Sequence, residues 1–222
     1  MSGTTLTSTD AATASNLIPR HRGHALDASR DDVLRDAALD LLSEIGYDRL
    51  TMDAVAARAH ASKATIYRRW PGKAALVVDA LICSKGTFSA PDTGTLEGDL
   101  NAMCHTSGSK ESRFDAQVML GLITALAHDA ELREVFRERI IDPKTAVLRE
   151  IFQAAVARGE IDSDRNLDIL IQLFPALMIQ QVLITGELPN PDFACTVIND
   201  VVLPLAMAPI YHRAPSTPSR TS

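Results

Sequence analysis

"HASKATIYRRWPGKAAL", residues 60–76, gathers Lys63, Arg68, Arg69, Lys73, Tyr67 and Trp70 among small apolar residues. The whole chain, 222 residues long, nevertheless carries a formal net charge of −6. Base and aromatic rings concentrated in an acidic protein need a local reason. Ser62 is a good N-cap and predicts a short helix from Lys63 to about Arg69. Pro71 forbids its continuation and Gly72 permits a bend, so a further helix begins at Lys73.

The sequence on either side extends this pattern. A helix is expected to start at Ser29, with Asp31 and Asp32 in its first turn. Val33, Ala37, Leu41 and Ile45, beside Leu34, Ala38 and Leu42, give it a buried stripe. Gly46 ends it. Thr51 caps a short second helix whose Val55, Ala56 and Ala59 face inward. The fourth helix carries Leu76, Val77, Ala80 and Leu81. "GTFSAPDTG", Gly86–Gly94, reads as the boundary loop. Beyond it helices are expected at about 95–106, 112–128, 130–158, 164–185 and 192–207, with Pro143 kinking or dividing the third. The fold class is all-α. The organisation read from the sequence is an arm (1–28) without periodicity, a first domain (29–86), a larger helical domain (87–208) and a tail (209–222). The arm and tail are read as disordered.

Charge divides along the same line. Arg20–Gly86 holds 11 Lys+Arg against 9 Asp+Glu, whereas the remainder to Ser222 holds 11 against 18. A polyanion would meet the first part. Arg20–Arg22, "RHR", is either a solvated tail or an arm that follows a nucleic-acid groove. Three cysteines, Cys83, Cys104 and Cys195, show no paired spacing. Neither a disulfide framework nor a metal site is expected, and a reducing cytoplasm is the default. The N-terminus does not read as a secretory signal. Leu167–Ile184 is very apolar but interrupted by Asp168, Gln172, Pro175, Gln180 and Gln181, so it reads as a buried helix rather than a membrane span.

Three short helices, the last two joined by a tight turn, are the helix-turn-helix pattern. The third helix must present its exposed residues to the major groove while the second crosses the backbone. Ala61 and Ala64 allow close approach. Lys63 and Thr65 are placed for base edges or phosphates. Tyr67, Arg68 and Lys73 are placed for phosphates, and Thr51 for capping with a phosphate contact. Ser62 completes the set. Trp70 reads as an anchor onto the first and fourth helices.

"TMDAVAARAHASKATIYRRWPGKAALVVDAL", residues 51–81, resembles the DNA-binding segment of the TetR (TetR/AcrR) family of bacterial transcriptional regulators. Thr51, Val55, Ala56, Ala59, Ser62, Thr65, Ile66, Tyr67, Trp70, Lys73 and Leu76 fall on that family's pattern. His60 stands where the family usually has Gly, in a turn whose left-handed backbone costs a non-glycine residue about 1 kcal/mol.

The resemblance implies a double-stranded DNA operator, a homodimer, a small-molecule effector and, by family default, repression. An operator read by a dimer would be a palindrome with half-sites about 10 bp apart or a multiple. The expected dimer interface is Leu170, Phe174, Leu177, Gln181, Val197, Val201 and Leu205, from two apolar helices that exceed the needs of one small bundle. A mostly apolar effector is expected among Phe114, Gln117, Met119, Leu122, Leu126, Phe152, Phe174 and Met178, with His128 and His105 as further polar contacts. No cofactor is expected. Catalysis is not expected either: Cys104–His105 and His128–Asp129 are adjacent pairs that point to different helix faces, and no phosphate-binding glycine motif is present. The alternatives are a regulator answering to a protein partner or to oxidation of Cys83 and Cys104, and a helical-bundle enzyme.

Overall fold

The computed structural model describes residues 22–85, 89–106 and 116–209. Expectations for Arg20, Phe114 and the segment after Pro209 lie outside them, as do those for the side chains of Cys104 and His105. The described residues form α1 (Arg22–Arg49), α2 (Met52–Arg58), α3 (Lys63–Arg69), α4 (Lys73–Lys85), α5 (Leu96–Thr106), α6 (Ala116–His128), α7 (Ala130–Phe136), α8 (Asp142–Ala157), α9 (Leu167–Thr185), α10 (Pro191–Thr196) and α11 (Leu203–Met207). Among them there is no strand. The all-α expectation holds.

α1 begins at Arg22, seven residues before the expected cap at Ser29, so part of the supposed arm is helical. Gly46 does break the helix, at φ 75° and ψ 167°, a conformation open to glycine. Val33 does not join the buried stripe; it is 49% exposed, while Leu34 and Ala38 are fully buried.

The first core joins Leu34, Ala38 and Leu42 of α1 to Val55, Ile66, Leu76 and Val77. It does not stop at the boundary loop. Val118, Leu122 and Ala125 of α6 and Leu132 of α7 belong to the same cluster. Each large side chain fully removed from water contributes about 1.5–3 kcal/mol, so α6 and α7 are firmly attached to the first four helices. The second core gathers Leu96 and Leu100, Ile151 and Phe152, Leu170 and Ile171, and Val197, Ile198 and Val202.

Prolines leave a specific mark. Residues 130–157 are helical throughout, but Arg137–Ile141 forms a π-turn two residues before Pro143. Proline has no N–H to give to the carbonyl four residues back. The chain takes the wider register instead, with the Asp142 N–H bonding the Arg137 carbonyl. The same device recurs before Pro204, where Val197–Val202 is a π-turn and the Leu203 N–H bonds the Ile198 carbonyl.

Asp99 is the one acidic side chain sunk in the described core, 1% exposed. It accepts from the Thr93 N–H at 2.6 Å and hydroxyl at 2.8 Å, and from Arg158 at 3.2 Å. Glu160 accepts from Arg158 Nε at 2.5 Å and from the Leu96 N–H at 2.8 Å. This network fixes the start of α5 against the end of α8.

Helix α9 departs from the expectation of a buried helix. By length and composition it is apolar enough to cross a membrane, yet only 17% of its apolar window is buried inside the chain. Leu170, Ile171 and Val182 face the core; Ile169, Ile179, Leu183 and Ile184 face outward.

Candidate nucleic-acid interface

Two side-chain caps define the helices at the site. Thr51 Oγ1 accepts from the Ala54 N–H at 3.1 Å, starting α2. Ser62 Oγ accepts from the Thr65 N–H at 3.2 Å, starting α3, and lies 2.8 Å from Thr65 Oγ1. Between them His60 holds φ 50°, so the left-handed turn is present without the usual glycine. Ala61 N–H closes the turn onto the Ala56 carbonyl at 2.9 Å.

α3 then has two sides. Ile66 is fully buried and Trp70, which caps the helix end, is nearly so. The Trp70 indole N–H donates to Asp79 at 3.1 Å, and Arg35 lies 5.7 Å from its ring centroid. Trp70 is therefore an anchor onto α4 and α1. The opposite side exposes Ser62, Lys63, Ala64, Tyr67 and Arg68, with Tyr67 51% exposed. Bulk packs inward and a small residue sits among polar ones outward. A duplex groove can approach this surface closely.

Three predicted contacts prove to be engaged inside the chain. Lys63 Nζ lies 2.6 Å from Asp53 on α2, which holds its pKa above the ordinary lysine value through that hydrogen bond. Thr65 is half-buried and bonded to the Ser62 hydroxyl, so it shapes the cap as well as the surface. Lys73 is half-buried, donates to the Tyr47 carbonyl at 3.3 Å and sits 4.3 Å from the Tyr47 ring centroid. Its first task is to tie the start of α4 to the end of α1. Burial pushes the Tyr47 phenol well above its ordinary pKa, with Asp129 adding to the rise. Arg58 is held by Glu44 through two bonds of 2.8 and 2.6 Å.

Sequence reasoning missed Asp53, Tyr47 and Asp79. Asp79 had a visible signal: it is the single acid in the otherwise apolar run "AALVVDALI" of α4. Asp53 shows in the sequence only as an acid in the first turn of α2.

The predicted effector residues do not form one group. Met119, Leu122 and Leu126 pack into or against the first core. Phe152 is in the second core, with Phe174 and Met178 packed against it. Gln117 is exposed and lines a shallow cavity of about 260 Å³ beside Ile45, Tyr47 and Gly121. His128 faces Asp48 at 3.2 Å rather than an interior space.

The predicted interface residues also divide. Leu170 and Val197 are each 5% exposed in a single chain and point into its own core, so they are not available to a partner. Phe174, Leu177, Gln181 and Val201 are half-buried, and Leu205 is exposed.

Residues 34–80 match the family described as bacterial regulatory proteins, tetR family. Residues 90–201 match the tetracyclin repressor-like, C-terminal domain. The chain belongs to the TetR family. It is similar to an uncharacterized HTH-type transcriptional regulator of Mycobacterium tuberculosis, 38% identical over 180 residues, covering 79% of this chain and 87% of that protein. The DNA-binding transcriptional repressor TetR of Mycobacteroides abscessus is 35% identical over 179 residues, covering 80% of this chain and 94% of the relative. Among solved structures, a TetR family transcription regulator superposes with a TM-score of 0.58 at 26% identity, covering 78% of this chain and 96% of that one. This TetR-family chain is thus a helix-turn-helix DNA-binding transcriptional regulator.

Proposed function

We propose that the protein is a homodimeric repressor that binds a palindromic operator and leaves it when a small, mostly apolar effector binds. The observation that carries the reading is the two-sided α3: Ile66 and Trp70 lock it, while Lys63, Ala64, Tyr67 and Arg68 are presented together. Lys63 and Tyr67 contact the duplex, Arg68 and Lys73 meet phosphates, and Thr51, Ser62 and Thr65 hold the helix starts at the backbone.

The dimer reading is supported by the outward row Ile169, Ile179, Leu183 and Ile184 of α9 and by Leu205 and Met207 of α11. A row of exposed aliphatic residues on a long helix is costly in water and suits a two-fold pairing of copies. The effector reading rests on the half-buried Phe174 and Met178 of α9 beside Phe152 of α8. Oxidation of Cys83 is a weaker trigger. Partial burial pushes its thiol up, which lowers the thiolate fraction on which oxidation depends. Repression is the role named for the Mycobacteroides abscessus relative, a DNA-binding transcriptional repressor.

Selection of genomic fragments on the purified protein tests the reading. The expected product is a footprinted palindrome with half-sites about 10 bp apart or a multiple. Recovery of fragments without a shared motif would contradict operator recognition. An apolar compound library should then contain a molecule that releases the duplex.

A further inference from the structure

Asp79 ties three elements and two regions of the chain together. Its Oδ2 accepts from Arg35 Nε of α1 at 2.8 Å and from the Trp70 indole N–H at 3.1 Å. Its Oδ1 accepts from Arg139 at 2.8 Å. Arg139 lies 60 residues away, in the π-turn between α7 and α8. Trp70 ends α3, its own N–H bonding the Ile66 carbonyl at 3.0 Å.

The two ends of this chain of bonds have different character. Trp70 is buried and sets where α3 stops. The Arg139 side chain is 43% exposed, against 14% for Asp79. The pair is open to water on the arginine side, and Asp79 keeps its bonds from Arg35 and the Trp70 indole without it, so losing Arg139 costs folding little. It does have direction, because a guanidinium donates along fixed lines. Its direction is set by the π-turn. The wider register before Pro143 re-aims the side chains of Arg137–Ile141 relative to an unbroken helix, and Arg139 is among them.

We propose that Arg139 is a positioning residue for DNA reading: from the π-turn it orients Asp79, Asp79 holds the Trp70 indole, and Trp70 sets the pose of α3. This rests on the reading of α3 as the operator-binding helix. The tie is weak enough to break and sits on an anchor that cannot move without moving α3. Movement of the α7–α8 segment against α4 therefore reaches the reading surface through three hydrogen bonds, without unfolding either core.

Trp70 is the only tryptophan in the chain, so its emission reports the node directly. The experiment compares wild type, Arg139→Ala and Arg139→Lys, with thermal unfolding as a fold control. Arg139→Ala should unfold at nearly the wild-type temperature, shift Trp70 emission and increase its quenching by acrylamide, all without DNA. Its affinity for the duplex selected by wild type should fall roughly 2- to 30-fold, with binding to unrelated duplex unchanged. Arg139→Lys keeps a donor for Asp79 and should restore part of both signals. Unchanged Trp70 emission in Arg139→Ala would overturn the relay. Shifted emission with unchanged operator affinity would overturn the positioning role. If wild type selects no duplex at all, the DNA-binding reading itself fails and takes this role with it.

Discussion

Lys63 Nζ and Asp53 Oδ2 lie 2.6 Å apart, joining the first residue of α3 to α2. The lysine proposed to meet DNA is thus already paired with a carboxylate in the free protein. DNA must displace that carboxylate or share the lysine with it. Both groups are well exposed, so the pair matters for electrostatics at the surface more than for folding.

Asp53→Asn should therefore bind DNA more tightly at low salt. The logarithmic salt slope should steepen by roughly 0.9, one additional phosphate contact. Titration of labelled duplex at several salt concentrations measures both. Weaker binding, with unchanged folding, would show that Asp53 orients Lys63 productively rather than competing for it.

His60 occupies a left-handed turn at φ 50°. His60→Gly removes strain of about 1–2 kcal/mol but adds about 0.5–1 kcal/mol of unfolded-chain entropy. The net expectation is a gain of about 0.5 kcal/mol in urea unfolding. His60→Val should lose about 1–2 kcal/mol, because a β-branched residue tolerates this backbone poorly. Equal stability of all three would contradict the strain assignment.

This turn shows what was legible and why. "SKATIY" and "WPGK" encode a cap, a stop and a restart within a few residues, so α3 and the start of α4 are read directly, as α2 is from Thr51. That α6 and α7 share the first core is not legible, because periodicity reports which face is buried and never against what. For the same reason Leu170 and Val197 were assigned to a partner when they face their own chain. Ion pairs such as Arg139–Asp79 join residues far apart in sequence and leave no local pattern.

Asp99→Ala removes the acceptor of two hydrogen bonds from Thr93 and one from Arg158. Losing three hydrogen bonds, each worth about 0.5–1.5 kcal/mol, should cost about 2–4 kcal/mol. Asp99→Asn, which keeps one acceptor oxygen, should lose less. Chemical denaturation of both variants checks the order, and an Asp99→Ala protein as stable as wild type would show that water replaces the network.

Burial alone would raise the Asp79 pKa, but hydrogen bonds from Arg35, Arg139 and Trp70 outweigh it and hold the carboxyl below its ordinary range. An unfolded aspartate titrates near ~3.9. The stability this group contributes is therefore fully present above that pH, and it is lost as pH falls through the lower folded value. The difference in melting temperature between wild type and Asp79→Asn should be constant above about pH 5 and shrink in acid below about pH 4. A gap that stays constant throughout the acid range would contradict the assignment.

Ile179→Glu combined with Leu183→Glu places two charges on the outward row of α9, where both residues are exposed in a single chain. Folding should survive. Light scattering should report one-chain mass in place of a dimer, and affinity for a palindromic duplex should fall toward that for a single half-site. A dimer that persists would move the interface off α9.

The most direct test of the account is salt-dependent binding of wild type, Lys63→Ala and Tyr67→Ala to the selected duplex and to an unrelated one. The account predicts that wild type prefers the selected duplex, that its affinity falls steeply with salt, and that each substitution removes the preference while the helical content stays unchanged. Equal affinity of wild type for both duplexes, or substitutions that leave the preference intact, would contradict α3 as the reading helix.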